Sequence, residues 1–345
     1  RVSSMLPSDQ ENFMARTLHP THYGRFCPIE TPEGTEIGLR KNLAMLARVS
    51  TRMNLDEGNF IKDLEEMGLD ITGEEGREVF FNGIFIGSIK NYDEFIGKIK
   101  EKRRDGNLPS ELNVRNDTGF KIILISTSPG RVLRPLIIVE NGTSKLKNEH
   151  LVQLEQNQLT WNDLIKQGII EYLDASEEEN ALVALYKEDV TPEHTHLELD
   201  TIALFGIVTS LVPYGNHDQS SRLNRGSKTQ KQVLGLYAAN YLARIDTDVS
   251  ILQYPQKPIV RSFVYDTLNT YPAGQNVVIA VMSYDGYNME DALILNKGSL
   301  DRGLGRSFWF RPYSAVEMNY AGGLKDEIAI PDKDATGYKT EESYM

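Results

Sequence analysis

The sequence contains very little cysteine and no long apolar segment. Its single cysteine, Cys27, excludes an internal disulfide framework and a cysteine-rich zinc site. The chain lacks the run of about 18 apolar residues that a membrane-spanning helix needs. Its first ten residues also lack the basic and apolar order of a signal peptide. We therefore expect a cytoplasmic protein with no membrane partner and no zinc.

Positive charge is scarcer than negative charge. The chain has 37 Lys and Arg residues against 49 Asp and Glu residues, which gives a net charge of −12. This balance argues against a protein whose whole surface wraps nucleic acid, although it is compatible with a local basic track. The 345 residues are enough for two or three domains with separate cores.

Composition and periodicity divide the chain into three regions and predict a multidomain α+β fold. Residues 1–50 are rich in proline and glycine, which excludes long regular elements. Residues 51–195 alternate acidic helices with strands, including a tight hairpin at Asn82-Gly83, and predict a mixed α+β domain. The acidic run Glu177–Glu179 is expected to be a solvated turn. Residues 196–345 predict a mainly β domain bearing one clear helix.

The most basic stretch of the chain lies between residues 216 and 244. Ser227 and Gln230 have the spacing of a capping box, which predicts a helix starting near Lys228. Free N–H groups and the helix dipole attract anions at such a start. Four cations would lie just before or within the first turn: Arg222, Arg225, Lys228 and Lys231. The pattern predicts a phosphate backbone or a triphosphate as partner, and the alternative is a solvated basic face.

An acidic pair, Glu290 and Asp291, follows a turn signal at Asp285-Gly286. It lies between two apolar runs that we interpret as strands, Val277–Tyr284 and Ala292–Leu295. Neighbours on an extended strand point to opposite faces, so the two carboxylates could act together only where the chain turns. Mg²⁺ accepts one or two carboxylates and keeps water or phosphate at its other positions. The alternative is a solvent-facing pair without a ligand.

The histidines form two closely spaced pairs, His19 with His22 and His194 with His196. Each pair lacks a third nearby ligand of obvious type, so a metal site is not predicted. We expect structural histidines that hydrogen-bond to the backbone.

Three segments resemble the second-largest subunit of multisubunit DNA-directed RNA polymerases, and they occur in that family's order: HPTHYGRFCPIETPEGTEIGL, NHDQSSRLNRGSKTQKQ and PAGQNVVIAVMSYDGYNMEDALILNKGSLDRGLGRS. The segments YLDASEEENALVALY and QYPQKP resemble archaeal and eukaryotic forms, and the whole mixture is archaeal-like. The resemblance covers the middle of such a subunit. It implies a fork-region segment at 1–50, an external domain at 51–195, and a hybrid-binding domain at 196–345 that is truncated at its C-terminal end.

The resemblance also implies roles for individual residues at the active centre. Arg222 matches an arginine that contacts the incoming triphosphate. Asp291 matches a residue that approaches the second, exchangeable Mg²⁺ through water, with Glu290 beside it. The tightly held Mg²⁺ belongs to three aspartates of the largest subunit. Lys231 and Gln232 match positions near the RNA of the RNA–DNA hybrid.

Other matches lie near the DNA. Arg16 and Glu33 match fork residues close to downstream DNA and to mobile elements of the largest subunit, and residues 6–13 match the fork loop near strand separation. The sequence around Arg225 and Lys228 departs from the usual family pattern. Their assignment to nucleic-acid contacts therefore rests on charge alone.

The implied partners are the largest subunit, the assembly subunits, template DNA, transcript RNA and NTPs, with transcription factors as further candidates. The isolated chain is expected to be inactive, because the main metal ligands belong to another subunit. Two alternatives stay open. One is a non-catalytic fragment or paralogue that docks factors on its acidic 51–195 face. The other is an unrelated Mg²⁺-dependent phosphotransferase that uses Glu290 and Asp291.

Overall fold

The computed structural model describes residues 1–53, 55–73, 75–230, 232, 234–236, 238–269 and 271–329. The chain divides into two compact units. Unit 1 contains Arg1–Gln232 and Val260–Thr270, and unit 2 contains Val233–Ile259 and Tyr271–Met345. The boundaries proposed above at residues 50 and 195 stay predictions.

Helices and strands alternate through the chain, which confirms the α+β class. The helices are α1 (Phe13–Arg16), α2 (Glu57–Glu66), α3 (Tyr92–Arg104), α4 (Asn148–Glu155), α5 (Trp161–Lys166), α6 (Ala175–Glu178), α7 (Ile207–Ser210), α8 (Ser220–Gln230), α9 (Phe263–Leu268) and α10 (Lys297–Asp301). Short 3-10 helices span Pro20–His22, Gly34–Glu36, Lys187–Asp189, Thr201–Leu204 and Gly215–His217. No helix within the described ranges is long and apolar enough to cross a membrane.

The strands are β1 (Val2–Ser3), β2 (Arg40–Lys41), β3 (Arg48–Val49), β4 (Arg77–Phe81), β5 (Ile84–Ile89), β6 (Asn113–Asp117), β7 (Ile122–Ser126), β8 (Val132–Glu140), β9 (Thr143–Ser144), β10 (Ile170–Leu173), β11 (Val183–Ala184), β12 (His196–Leu197), β13 (Val249–Leu252) and β14 (Ser307–Phe310). Strand β1 pairs with β2 near the start of the chain. The other strands form two larger sheets in unit 1 and one antiparallel pair in unit 2.

A four-stranded sheet with the order β5-β4-β7-β6 packs against α2 and α3. Strand β4 pairs antiparallel with β5 and parallel with β7. The two helices place apolar residues four positions apart against the sheet, Phe60 with Leu64 and Phe95 with Ile99, and all four are buried. Asn82 and Gly83 have φ values of 49° and 85°. These positive angles are those of a tight hairpin turn, so the predicted β4–β5 hairpin is confirmed.

The second sheet of unit 1 is built around β8. It has the order β10-β8-β12-β11, and β3 and β9 also pair with β8. Because β3 belongs to the first 50 residues, this pairing joins the proline-rich start of the chain to the α+β region. Arg25, from the same first 50 residues, adds a second connection to this region. Its Nη2 donates to the Leu173 carbonyl at 3.0 Å and to the Glu178 carboxylate at 2.5 Å.

Glu178 is shared between two buried arginines. Arg134 donates to it at 2.6 and 3.0 Å and to Glu198 at 2.5 Å. Burial alone would raise the pKa of Glu178, but the hydrogen bond from Arg134 and the charge of Arg25 outweigh burial and lower it. The pKa of Glu198 is raised, because burial there outweighs its one arginine partner.

The expectation of a solvated acidic turn at Glu177–Glu179 is wrong for its first two residues. Helix α6 buries Glu177, which is 2% exposed, and Glu178 lies in the arginine cluster. Glu179 alone projects outward, with a side chain 51% exposed. The reason is tertiary: α3 and β8 supply buried arginines that the acidic run neutralises.

Residues 196–345 depart from the prediction of a mainly β domain with one helix, because their described part contains four α-helices, α7–α10, beside the strands β12–β14. The antiparallel pair β13–β14 is present, with Val249 opposite Phe310. The apolar runs Val277–Tyr284 and Ala292–Leu295, interpreted above as strands, form no strand among the described residues. Their side chains are largely exposed, including Val278 and Leu293. Apolar patterning alone does not make a strand, because a strand also needs a neighbour to satisfy its backbone groups.

Candidate functional site

Helix α8 begins earlier than the sequence predicts. The N–H groups of Arg222 and Leu223 both donate to the Gln219 carbonyl, so the helix starts at Ser220 and not near Lys228. Ser227 does not cap a helix. It lies inside α8, where its hydroxyl donates to the Asn224 carbonyl at 3.0 Å. The predicted capping box is therefore wrong, because serine at this position satisfies its hydroxyl locally within the helix.

The cations of α8 form one stripe instead of a cluster around a helix start. Leu223 and Ser227 are buried, whereas Arg222, Arg225 and Lys228 are exposed at every third position. With 3.6 residues per turn, this spacing places the three cations on the face opposite the buried pair. Within the part of the chain that the structure describes, none of the three pairs with a carboxylate. We call this surface the basic face of α8.

The residues after α8 are only partly described. Gln232 is exposed, and its N–H donates to the Thr229 carbonyl at 2.9 Å. Lys231, which was predicted to approach RNA, lies outside the described residues.

The acidic pair lies in the turn that the sequence predicts. The N–H of Tyr284 donates to the Asn288 Oδ1 at 3.0 Å, and the Asn288 Nδ2 donates to the Met282 carbonyl at 2.6 Å. Asn288 thereby fastens both sides of the turn. Glu290 and Asp291 follow with φ values of 56° and 64°. Two consecutive left-handed residues without glycine are unfavourable, at roughly 1–2 kcal/mol each.

Both carboxylates of the pair are exposed. Their oxygen atoms are the hard donors that Mg²⁺ prefers. No group of three or more His, Cys, Asp or Glu residues in the described ranges could hold a metal ion. Glu290 and Asp291 therefore fit Mg²⁺ as contributors of charge or of water-mediated contacts, not as a complete set of ligands. Arg222 belongs to unit 1 and the acidic pair to unit 2.

The residues predicted to belong to the fork occupy the turn-rich start of unit 1. Arg16 ends α1 and donates to four backbone carbonyls, those of Ser8, Gln10, Thr35 and Ile37. Glu33 is exposed and precedes the 3-10 helix Gly34–Glu36 as its N-cap residue. The structure thus brings the fork loop, residues 6–13, beside the turn that follows Glu33.

The histidines behave as structural residues. His19, His22 and His194 each accept a backbone N–H at Nδ1, from Thr21, His19 and Thr191 respectively. His196 is buried, and its Nε2 lies 2.7 Å from the Glu171 carboxylate. The expectation of backbone-bonded histidines is confirmed for the first three, whereas His196 has side-chain partners.

Sequence reasoning missed the buried arginines. Arg103 follows Phe95 and Ile99 at intervals of four, which places it on the buried face of α3. That spacing was a readable signal for a buried cation with acidic partners. Lys41 was also missed: its Nζ donates to the carbonyls of Gly38 and Ala15, at 2.6 and 3.4 Å.

Family models match most of the chain. The domains described as RNA polymerase Rpb2 domain 3, domain 4, domain 5 and domain 6 match residues 1–49, 79–140, 161–203 and 208–344.

Similar full-length proteins carry names of the same kind. DNA-directed RNA polymerase subunit Rpo2 of Saccharolobus shibatae is 44% identical over 364 residues, covering 100% of this chain and 32% of the relative. DNA-directed RNA polymerase III subunit RPC2 of Schizosaccharomyces pombe is 36% identical, covering 97% of this chain and 29% of the relative. DNA-directed RNA polymerase II subunit RPB2 of Encephalitozoon cuniculi is 34% identical, covering 97% and 31%.

The identity with Rpo2 exceeds that with the other two, which agrees with the archaeal-like prediction. In each case the chain spans less than a third of the relative's length. The four matched domains follow one another in order along the chain. This chain belongs to the family of second-largest subunits of DNA-directed RNA polymerases.

Proposed function

We propose that this chain forms part of the active-centre wall of a DNA-directed RNA polymerase, where it contacts the NTP triphosphate and the RNA–DNA hybrid. The observation that carries the proposal is the basic face of α8. Arg222, Arg225 and Lys228 lie on one exposed face without a carboxylate partner among the described residues. Elsewhere in unit 1 the buried arginines Arg25, Arg103 and Arg134 are paired with carboxylates. Unpaired cations in an acidic protein favour an anionic partner from outside the chain.

Arg222 is the residue to which we assign the triphosphate. Its guanidinium can donate two parallel hydrogen bonds to phosphate oxygens, which a lysine cannot do. Arg225, Lys228, Lys231 and Gln232 extend the same segment, and we assign them to the sugar–phosphate backbone of the hybrid. Such contacts position nucleic acid without reading its sequence.

The acidic turn is assigned to the exchangeable Mg²⁺. Asn288 holds the turn from both sides, and the left-handed backbone at Glu290 and Asp291 presents both carboxylates to solvent. Strained backbone at an exposed acidic pair supports a functional reason for the conformation. Asp291 would hold the ion through water, with Glu290 adding negative charge nearby. Mg²⁺ supplies charge stabilisation at the transferring phosphoryl group.

The remaining parts of the reaction centre come from partners. We propose that the largest subunit provides the three aspartates that hold the tight Mg²⁺, and that assembly subunits, DNA, RNA and NTPs complete the active enzyme. Glu33 and the fork loop would face downstream DNA. The protein would act in the cytoplasm, and transcription factors are further candidate partners.

Arg222→Ala in the assembled polymerase tests the proposal. Truncating one partner of a desolvated charge pair costs about 2–5 kcal/mol, so kcat/KM for NTP addition should fall by a factor of roughly thirty to several thousand. Binding of a DNA–RNA scaffold should change little, because one contact among many is lost. Arg222→Lys should recover only part of the loss.

The matched control is Arg52→Ala, which removes the same charge from an exposed arginine outside the site. If the Arg222→Ala enzyme has normal NTP kinetics but weakened scaffold affinity, Arg222 contacts the nucleic-acid backbone and not the triphosphate. Normal values of both quantities would support the factor-docking alternative.

A further inference from the structure

Arg16 uses each terminal nitrogen of its guanidinium for a different segment of the chain. Nη1 donates to the carbonyls of Thr35 and Ile37, at 2.6 and 3.0 Å. Nη2 donates to the carbonyls of Ser8 and Gln10, at 2.9 and 3.0 Å. The first pair lies in the turn formed by residues 34–38, and the second pair lies in the fork loop. One side chain therefore bridges the fork loop and the segment that contains the 3-10 helix Gly34–Glu36.

These four bonds use all four N–H groups of the terminal nitrogens. A guanidinium has five donors in a planar fork, so only the Nε–H is left. Arg16 in this conformation has no terminal donor with which to grip a phosphate. Although the resemblance places Arg16 close to downstream DNA, its contacts are those of an internal brace.

Two neighbours make the same junction rigid. Gly38 has a φ of 73°, and a Cβ there would come within 2.3 Å of the Arg16 carbonyl oxygen, so only glycine allows this approach. Lys41 donates from Nζ to the carbonyls of Gly38 and Ala15. Gly38 thus lets the backbone at Arg16 lie against the 34–38 turn, and Lys41 hydrogen-bonds to both partners of this contact. The Arg16 side chain adds hydrogen bonds to the fork loop.

We propose that Arg16 is a positioning residue that sets the conformation of the fork loop relative to the turn after Glu33, and through that loop the point at which downstream DNA strands separate. The part of this proposal that concerns DNA rests on the proposed function. The tether itself rests on the contacts within unit 1.

The test compares Arg16→Lys and Arg16→Ala with Arg52→Lys in the assembled polymerase. Arg52 is exposed and has neither an ion pair nor a side-chain hydrogen bond within the described ranges, so it controls for the chemical change. The first readout is amide hydrogen exchange without nucleic acid. Asn12 and Gly38 report on the two segments, because their N–H groups bond to the Gln10 carbonyl and the Thr31 hydroxyl.

A lysine is a point donor and cannot span both segments. Both Arg16 variants should therefore raise exchange in residues 4–12 and 34–39, by about tenfold if opening loses at least two hydrogen bonds. Arg52→Lys should exchange as the wild type does. Unchanged exchange in Arg16→Lys overturns the tether.

The second readout is the fluorescence of 2-aminopurine placed at the downstream edge of the melted DNA, together with the salt dependence of scaffold binding. Both Arg16 variants should change the fluorescence alike, with the salt slope unchanged. If Arg16→Lys restores the signal and Arg16→Ala lowers the salt slope by about one, Arg16 holds a phosphate and the proposal fails. A wild-type assembly that extends no primer would refute the proposed function instead, and the exchange result would still decide the tether.

Discussion

Arg103 and Glu177 form a buried bidentate ion pair across two elements of unit 1. Nη1 and Nη2 of Arg103 donate to the two carboxylate oxygens of Glu177 at 2.7 and 2.9 Å, and each side chain is 2% exposed. Nη2 also donates to Glu171 at 2.7 Å, and Nη1 donates to the Leu112 carbonyl. The pair joins α3 to α6, so the acidic run at 177–179 is a structural junction and not a solvated surface.

Breaking this pair should destabilise the region strongly. Glu177→Gln leaves Arg103 buried with one carboxylate fewer, and removing one partner of a buried ion pair typically costs about 3–5 kcal/mol. We expect a loss of that order in the free energy of unfolding. Urea unfolding followed by the fluorescence of Trp161, in a Trp309→Phe background, measures it. Trp161 is a suitable reporter because its indole donates to the Tyr172 hydroxyl in the same region.

Glu179→Gln is the matched control, since it makes the same change two residues away. Glu179 is 51% exposed and pairs with Arg115 at 2.7 Å. Exposed ion pairs are worth about 0–1 kcal/mol, so this variant should unfold almost as the wild type does. Equal effects of the two substitutions would contradict the burial of Glu177.

Acid should unfold the region through the same carboxylates. Burial alone would raise the pKa of Glu171 and of Glu177, but the charge of Arg103 and hydrogen bonds outweigh burial and lower both pKa values. The hydrogen bonds come from His196 and Arg104 to Glu171, and from Arg103 to Glu177. An unfolded glutamate has a pKa of about 4.3. The unfolded chain therefore binds protons first as the pH falls, and stability is full above about pH 4.3 and is lost as the pH drops through the lower folded values.

The measurement is the free energy of unfolding between pH 7 and pH 3. Glu177 faces Arg103, Lys100, Asn113 and Glu171, and Glu177→Gln removes one titrating member of this group. Its stability should fall less steeply below pH 4.3 than that of the wild type. Glu198 works in the opposite direction, because its raised pKa favours the folded state at low pH. Parallel curves for the wild type and the variant would refute the assignment.

Asp291→Asn should raise the Mg²⁺ concentration needed for nucleotide addition by the assembled polymerase. Removing one negative charge near a mobile hard cation lowers its affinity, while DNA binding should be unaffected. The control is Asp301→Asn, which removes the same charge from an exposed residue of α10 in the same unit. If the Mg²⁺ titration of Asp291→Asn superimposes on that of the control, the Asp291 carboxylate has no role in Mg²⁺ use.

Local patterns predicted much of unit 1. The hairpin at Asn82-Gly83 follows from residues that tolerate positive φ, and α2 and α3 follow from apolar residues spaced by four. Strand β8 coincides with a run rich in β-branched residues, Val132–Glu140. The turn around Asn288 was also readable, because asparagine hydrogen-bonds to nearby backbone groups.

The features that local patterns predicted wrongly, or missed, depend on contacts with residues far away in the chain. The Ser227–Gln230 spacing fits a capping box, yet α8 starts at Ser220. The runs around Val278 and Leu293 look like buried strands, yet no described neighbour pairs with them. Nor did local spacing show that Arg16 would meet carbonyls on two segments.

The family, the order of the matched domains and the residue types of the candidate site follow from ordered motifs of polar and charged residues, so they are readable without the fold. Which charges are buried and which are exposed depends instead on tertiary contacts. Glu177 and Glu179 are the same residue type two positions apart, but only Glu177 meets the buried guanidinium of Arg103. Burial changes the contribution of an ion pair to the free energy of unfolding by several kcal/mol, and burial is set by elements far away in the chain.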